Sequence, residues 1–337
     1  MKILVAGDFL VSWREEAWVN AFKVHGHTVN SICINGLKSD SFPVVNKFIN
    51  KLAFLINFKN SINKNFVNDC LKNNYDLIFL SRPILITKKS IEEIKQNTKS
   101  IIVLYQNDSM FEKADSILWR YIKACIPLYD LCLIYRESDR KYYERLKAQK
   151  ILIVLPFYVP ELHIFNPEIE KDVFVGFYGH FENDKRLSIA KSILLNPNLK
   201  NSASFRGTGW KNKLIKYKKD SNFSRVIGKE YVNQINKTWI SLGIYSTLNR
   251  DNYSRRTFEI PMCGSVLMSE KNEFITRNFI EDREALFFFS KEDLIEKLIY
   301  YQSNKHKLKE IANNGKKKII SLNGSIHDRA FEILKNL

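Results

Sequence analysis

Residues 255–270 read RRTFEIPMCGSVLMSE. Two arginines, Arg255 and Arg256, and one carboxylate, Glu259, fall within five residues, ahead of a Cys-Gly pair and an apolar run. A guanidinium grips a tetrahedral oxyanion through two parallel hydrogen bonds. The unpaired N–H groups of a helix start add positive potential there. Glu259, one turn further in, suits the acceptance of two hydroxyl hydrogen bonds, and Asp251 stands eight residues before it. Together these residues describe an anion site with a hydroxyl-accepting acid beside it. The plainer reading is a helical ion pair between an arginine and Glu259 at i+3 or i+4.

Three other stretches carry residues of the same kind. GFYGHFENDKR (176–186) ends a strand with Gly176 and Gly179, follows with His180, and opens a helix with Lys185 and Arg186. Glycine lets backbone approach a ligand, and the cations suit a diphosphate. His180 reads either as a catalytic group or as a satisfied turn residue. SFRGTGW (204–210) offers a loop from Gly207 and a base-stacking aromatic in Trp210, or else a turn with a packed tryptophan. QNDSMF (106–111) places Asp108 at a strand end, as a general base for a hydroxyl or as an Asx turn or helix cap. Gly7 in AGDFLVSW (6–13) permits close approach, but without a GxGxxG pattern there is no dinucleotide fingerprint.

These residues need strands to hold them. Apolar runs at 2–7, 28–34, 76–81, 100–106, 131–136 and 151–157 alternate with helical periodicity near 13–25, 45–73, 87–97, 114–126 and 138–148. Continuous apolar strands separated by helices predict a parallel sheet covered on both faces. YVPELHIFNPEIEKD (158–172), with its prolines and acids, reads as a linker. A second series follows, with strands at 173–179, 202–207, 240–246, 265–270 and 285–290 and helices at 184–195, 229–237, 257–263, 273–279, 291–303, 305–318 and 325–336. The expectation is α/β: two Rossmann-like, doubly wound domains, 1–157 and 173–337, facing a cleft, with the final helix free to pack back on the first. Ligands of such sheets sit beyond the strands' carboxyl ends, where the residues above fall. The apolar FINKLAFLINF (48–58) is read as core, with a membrane-touching or acceptor-side surface as the alternative.

A chain of 337 residues with 45% hydrophobic and 13% aromatic content builds real cores and is not disordered as a whole. Five scattered cysteines, with no CxxC, argue against a disulfide framework and a zinc site, and suit a reducing cytoplasm. The start MKILVAGDFLVSW reads as a strand without a cleavage pattern, and no run of about 18 apolar residues predicts a membrane span. The net charge of +17 favours anionic partners, although Lys, Asn and Ile richness accounts for part of it. Without a helix-turn-helix, zinc or RNP pattern or a single basic stripe, nucleic acid is not the expected partner. An anionic membrane face or a phosphorylated glycan is.

The stretch NRDNYSRRTFEIPMCGSVLMSE and the FIEDREALFFFSKEDLIEKLIYYQSNKHKLKEIANNGKKKI that follows resemble the C-terminal half of bacterial group-1 glycosyltransferases, nearest the branch of spore-maturation CgeB-like proteins. YQNDSMF and LPFYVPELH carry a weaker likeness in the first half. The resemblance implies the GT-B fold, with a nucleoside-diphosphate sugar held mainly by the C-terminal domain. It implies that Glu259 grips the donor ribose and that Asp251 holds the first place of an acid-x7-Glu pattern, as Asp rather than Glu. It sets Arg255 and Arg256 before the helix that faces the diphosphate, and matches Gly179 and Arg186 to the donor side. Ser269, Glu270 and Glu284 match a recurring pattern without a fixed role. The family's catalytic residue does not transfer directly; Asp108 is the first candidate and His180 the second. The implied reaction is sugar transfer from a nucleoside-diphosphate sugar to an acceptor hydroxyl; the basic charge adds the expectation of envelope glycan assembly, at the cytoplasmic side of the membrane. No cofactor is expected, and no obligatory metal, since no DxD stands at a suitable strand end. A nucleotide-sugar epimerase, a donor binder without catalysis and a basic nucleic-acid binder are the alternatives.

Overall fold

The structure is a computed structural model and describes residues 1–9, 12–35, 59–111, 119–219, 221–247 and 250–337. The segment 48–58, the first part of the helix expected at 45–73 and the start of that expected at 114–126 lie outside the described residues. The chain forms two units, Met1–Leu155 with Ile326–Leu337, and Pro156–Ser325.

The first unit contains β1 (Lys2–Gly7), α1 (Ser12–Val24), β2 (Thr28–Cys33), α2 (Lys59–Asn73), β3 (Leu77–Ser81), α3 (Lys88–Asn97), β4 (Ile101–Gln106), α4 (Arg120–Cys125), β5 (Leu131–Ile134), α5 (Arg140–Arg145), β6 (Ile151–Ile153) and α13 (Ile326–Lys335). Its sheet runs β2-β1-β3-β4-β5-β6, with every pairing parallel. Strand residues such as Leu4, Ile78, Ile102 and Leu133 are wholly buried, as strands covered on both faces must be. Polar groups close the edges of this core. Asp130 accepts from Ile102 N at 2.8 Å and pairs with Lys95 at 2.6 Å.

The second unit contains β7 (Val173–Tyr178), α6 (Arg186–Leu195), β8 (Ala203–Arg206), α7 (Lys211–Leu214), α8 (Gly228–Asn236), β9 (Thr238–Gly243), α9 (Arg255–Met262), β10 (Val266–Glu270), α10 (Glu273–Asn278), β11 (Leu286–Phe288), α11 (Lys291–Ser303) and α12 (Lys305–Ser321). Its all-parallel sheet runs β11-β10-β9-β7-β8. Asn272 and Ser290 cap α10 and α11 by accepting from Ile275 N and Asp293 N, each at 3.1 Å.

The segment 158–172, expected as a linker, is built into this second unit. Tyr158 N donates to Gly324 O at 3.0 Å, His163 is buried, and Lys171 donates to Asn236 O and Thr238 O. Its prolines set turns, while its apolar and basic residues find partners on the unit that follows. Among the described residues no helix is long and apolar enough to cross a membrane.

Candidate functional site

In the second sheet β7 lies between β8 and β9, so successive connections leave it toward opposite edges. The carboxyl ends of β7 and β9 therefore bound a topological switch point, where open α/β sheets hold ligands. Arg256, from the first turn of α9, reaches into it. Its Nη2 donates to Ile244 O, just after β9, at 3.3 Å, and its guanidinium lies 5.0 Å over the Phe177 ring of β7. Gly179 makes room, since a Cβ there would stand 2.9 Å from Arg256 Nη1. Arg256 Nε is buried without a hydrogen-bond partner, and no carboxylate among the described residues pairs with this side chain.

The neighbouring arginine is used differently. Arg255 pairs with Glu259 Oε1 at 3.2 Å, one helical turn on, and stacks 5.0 Å over the Phe157 ring. The plainer reading of that pair is thus realised for Arg255 and not for Arg256. Glu259 is 4% exposed. Tyr231 donates to its Oε2 at 2.8 Å, and His163 Nε2 lies 3.6 Å from its Oε1. His163 Nδ1 lies 2.9 Å from Val159 N and 3.2 Å from Val159 O, which fixes the ring with Nε2 toward Glu259. Burial holds the His163 pKa below its ordinary value, with Arg255 adding to the shift and Glu259 opposing it. The buried set therefore balances one anion, one cation and a neutral imidazole. His163 and Tyr231 are the members that spacing along the chain did not single out.

The loop after β7 is tied to the same switch point. Gly207 has φ +147°, and a Cβ there would come 2.0 Å from Gly179 O, so the loops after β7 and β8 touch through two glycines. Trp210 donates from Nε1 to Gly179 O at 2.7 Å. It is 0% exposed and packed among Phe177, Phe181 and Phe205, which corrects the stacking role expected for it. A ring enclosed on both faces has no surface to offer a base.

Glu182, which sequence reading passed over, is the hub of the loop. It accepts from His180 Nε2 at 2.7 Å, pairs with Arg186 at 2.8 Å and accepts from Ser246 Oγ, beyond β9, at 2.7 Å. Burial works against its charge, yet these three donors together hold its carboxyl at about 2. Arg186 is consequently a buried strap, with Nη1 also donating to His180 O at 3.2 Å. His180 keeps 66% of its side chain exposed at the rim. Lys185 pairs with Glu270 at the end of β10, and Asp251 N donates to Ser246 O at 3.1 Å. The structure thus gathers Gly179, His180, Arg186, Gly207, Asp251, Arg255, Arg256 and Glu259 around the strand ends of one sheet.

Asp108 lies in the first unit, beyond β4. Its Oδ2 pairs with Arg82, beyond β3, at 2.9 Å, and its side chain is half-exposed. This unit's own switch point, between β1 and β3, holds Glu15 of α1. Ser81 Oγ donates to Glu15 Oε1 at 3.0 Å, and a Cβ on Gly7 would meet the Glu15 side chain at 2.6 Å. Burial raises the pKa of this carboxyl. The sequence signal for Glu15 is only an acid one turn into the helix after a strand-end glycine, a pattern shared with many surface helices.

Residues 190–335 match the glycosyl transferase-like family. No curated protein sequence matches the chain. Among solved structures, the sucrose-phosphate synthase of Thermosynechococcus elongatus superimposes with a TM-score of 0.69 at 10% identity, covering 99% of this chain and 98% of that one. HepE of Anabaena, in complex with UDP-glucose, gives 0.64 at 12% identity over 100% of both chains. The UDP-GlcNAc 2-epimerase of Neisseria meningitidis, bound to UDP-GlcNAc, gives 0.56 at 11% identity over 99% of both. The fold is GT-B, two parallel-sheet α/β domains in sequence.

Proposed function

We propose that the protein transfers a sugar from a nucleoside-diphosphate sugar to an acceptor hydroxyl. The observation that carries this reading is Arg256, a cation without a carboxylate partner among the described residues at the β7/β9 switch point. In this reading Arg256 and the first-turn N–H groups of α9 take the diphosphate and stabilise it as it leaves, without an obligatory metal. Gly179 gives the Arg256 guanidinium its room and Gly207 lets the loops after β7 and β8 meet, Glu259 takes the donor ribose in place of one of its present partners, and Asp251 sits beside the sugar. Asp108 is the proposed base for the acceptor hydroxyl, with His180 second. The match of 190–335 to the family and the UDP-sugars bound by HepE and the epimerase support a nucleotide-sugar donor. Envelope glycan assembly, a glycan or lipid-linked acceptor, and work at the inner face of the cytoplasmic membrane extend the reading, on the strength of the +17 charge. The CgeB-like branch is the proposed place within the family.

The test is a thermal-shift panel of nucleoside diphosphates and sugar nucleotides on wild type and Arg256→Ala. A ligand that binds only the native state raises the melting temperature by mass action. One base family should stabilise the wild type, and the variant should bind it roughly ten- to a hundredfold more weakly, the loss of a charge-assisted hydrogen bond. A folded wild type that no member stabilises overturns the reading. Epimerisation, the second reading, is favoured by the likeness to the epimerase. It predicts no acceptor-dependent release of nucleoside diphosphate, whereas transfer requires it.

A further inference from the structure

A second concavity opens at the opposite end of the same sheet. Lys171 precedes β7, Trp239 is the second residue of β9 and Gly264 precedes β10, so this is the amino end of the strands, away from the switch point. The cavity has a volume of about 590 Å³, within the range of sites that enclose a small ligand. Its apolar wall is formed by Phe165, Trp239, Leu308 and Ala312. The charged residues that line it are Lys171, Lys309 and Lys316, with no acid among the lining. Phe165 lies directly against Gly264, whose φ of +73° leaves that face bare. Beside it, Ile164 is 55% exposed and Phe165 36% exposed. The exposed or half-buried Lys305, Lys307, Lys309 and Lys316 follow one another along α12.

An apolar pocket with a purely cationic lining fits a molecule with an apolar body and an anionic head. The adjoining Ile164, exposed and outside the pocket lining, decides its source. A free amphiphile filling the pocket covers Phe165 but leaves Ile164 in water, whereas a bilayer covers both, as interfacial apolar groups beside lysines are covered. We propose that this pocket docks the protein on an anionic bilayer by taking the apolar chain of one phospholipid, with the head group between Lys309 and Lys316. The proposal rests on the reading that the chain works at an anionic membrane face, and gives that reading a defined surface.

The experiment measures flotation of the full chain with phosphatidylcholine vesicles and with vesicles also containing phosphatidylglycerol. Quenching of tryptophan fluorescence by bromine-labelled acyl chains is recorded in wild type and Trp239→Phe. The pocket is filled by Ala312→Phe, and its rim reversed by Lys309→Glu with Lys316→Glu. Each variant's thermal melt and its stabilisation by the nucleotide ligand of the wild type report that it is folded. Flotation should require the anionic lipid, the quenching should vanish in Trp239→Phe, Ala312→Phe should abolish the quenching, and the charge reversal should weaken flotation about tenfold or more. Anionic-vesicle binding with no Trp239-dependent quenching, or indifferent to the pocket variants, overturns the pocket while leaving a membrane reading based on diffuse charge. Absence of flotation overturns both, and quenching by a free bromine-labelled fatty acid without flotation assigns the pocket to a soluble amphiphile instead. None of these outcomes touches the nucleotide test.

Discussion

Glu15 and Glu182 are carboxylates near the strand ends of the two sheets, and their surroundings push them in opposite directions. Glu182 gathers three donors and is held at about 2, below its ordinary 4.5. A carboxyl depressed on folding contributes stability that is present above the unfolded pKa and lost as pH falls through the folded one. Glu15 is raised by burial, so its contribution is present below the unfolded pKa and lost as pH rises through the folded one. Glu182→Gln should therefore lower the melting temperature at neutral pH, with the deficit closing as pH falls from about 4.5 toward 2. Glu15→Gln, which keeps an acceptor for Ser81, should raise it at neutral pH and do nothing below the unfolded value. Melting curves taken across pH check both, and offsets that stay constant with pH would contradict the assignment. The sequence made the cations of 176–186 visible but not their neutralisation, because Glu182 and Ser246 meet only through the folded loop. Likewise the Arg-Arg pair was legible as a motif. Which arginine would be spent on Glu259 depended on the helical phase of α9.

At the scale of elements, the central strands β1, β3, β4, β5, β7 and β10 were readable from apolar runs, since parallel strands buried on both faces carry no polar alternation to confuse them. The informative departure is at β9. The run expected at 240–246 ends as strand at Gly243, and Ile244, Tyr245 and Ser246 leave the sheet for the site. Tyr245 OH lies 2.6 Å from Ser269 Oγ and 3.2 Å from Thr257 Oγ1, so an apolar-looking residue is anchored by its hydroxyl between β10 and α9. Periodicity cannot separate such a buried loop from a strand. The contact between the loops after β7 and β8 gives an element-scale prediction. Gly207→Ala places a methyl within 2.0 Å of Gly179 O at a backbone conformation unfavourable to side chains. Strain of about 1–3 kcal/mol, with the clash added, should fall on stability and on the loop that faces Arg256. Chemical denaturation measures the first and the nucleotide panel the second. A variant as stable as wild type would mean that the two loops separate without loss.

At the scale of the whole molecule, the chain's last helix belongs to the unit that its first residues begin. In α13, Ile326, Ala330 and Ile333 are fully buried. His25, just past the end of α1, lies 2.8 Å from His327 O and stacks on Phe331 at 5.6 Å, while Arg329 Nε donates to Leu155 O at 3.2 Å. The amphipathic pattern of 325–336 announced a helix with one apolar face; nothing in that pattern named the surface it would cover, because the partner lies about three hundred residues earlier in the chain. Removing 326–337 should expose apolar surface of the first unit and take away two buried isoleucines, roughly 3–6 kcal/mol by burial alone. A loss of that size is a large share of a domain's stability. Calorimetry of the truncated chain should show the first unit melting earlier while ligand stabilisation of the second persists. Ile333→Asp should reproduce the shift without shortening the chain. Unchanged melting in both would detach α13 from the first unit's core, and parallel loss of ligand response in both would make the two units one cooperative body.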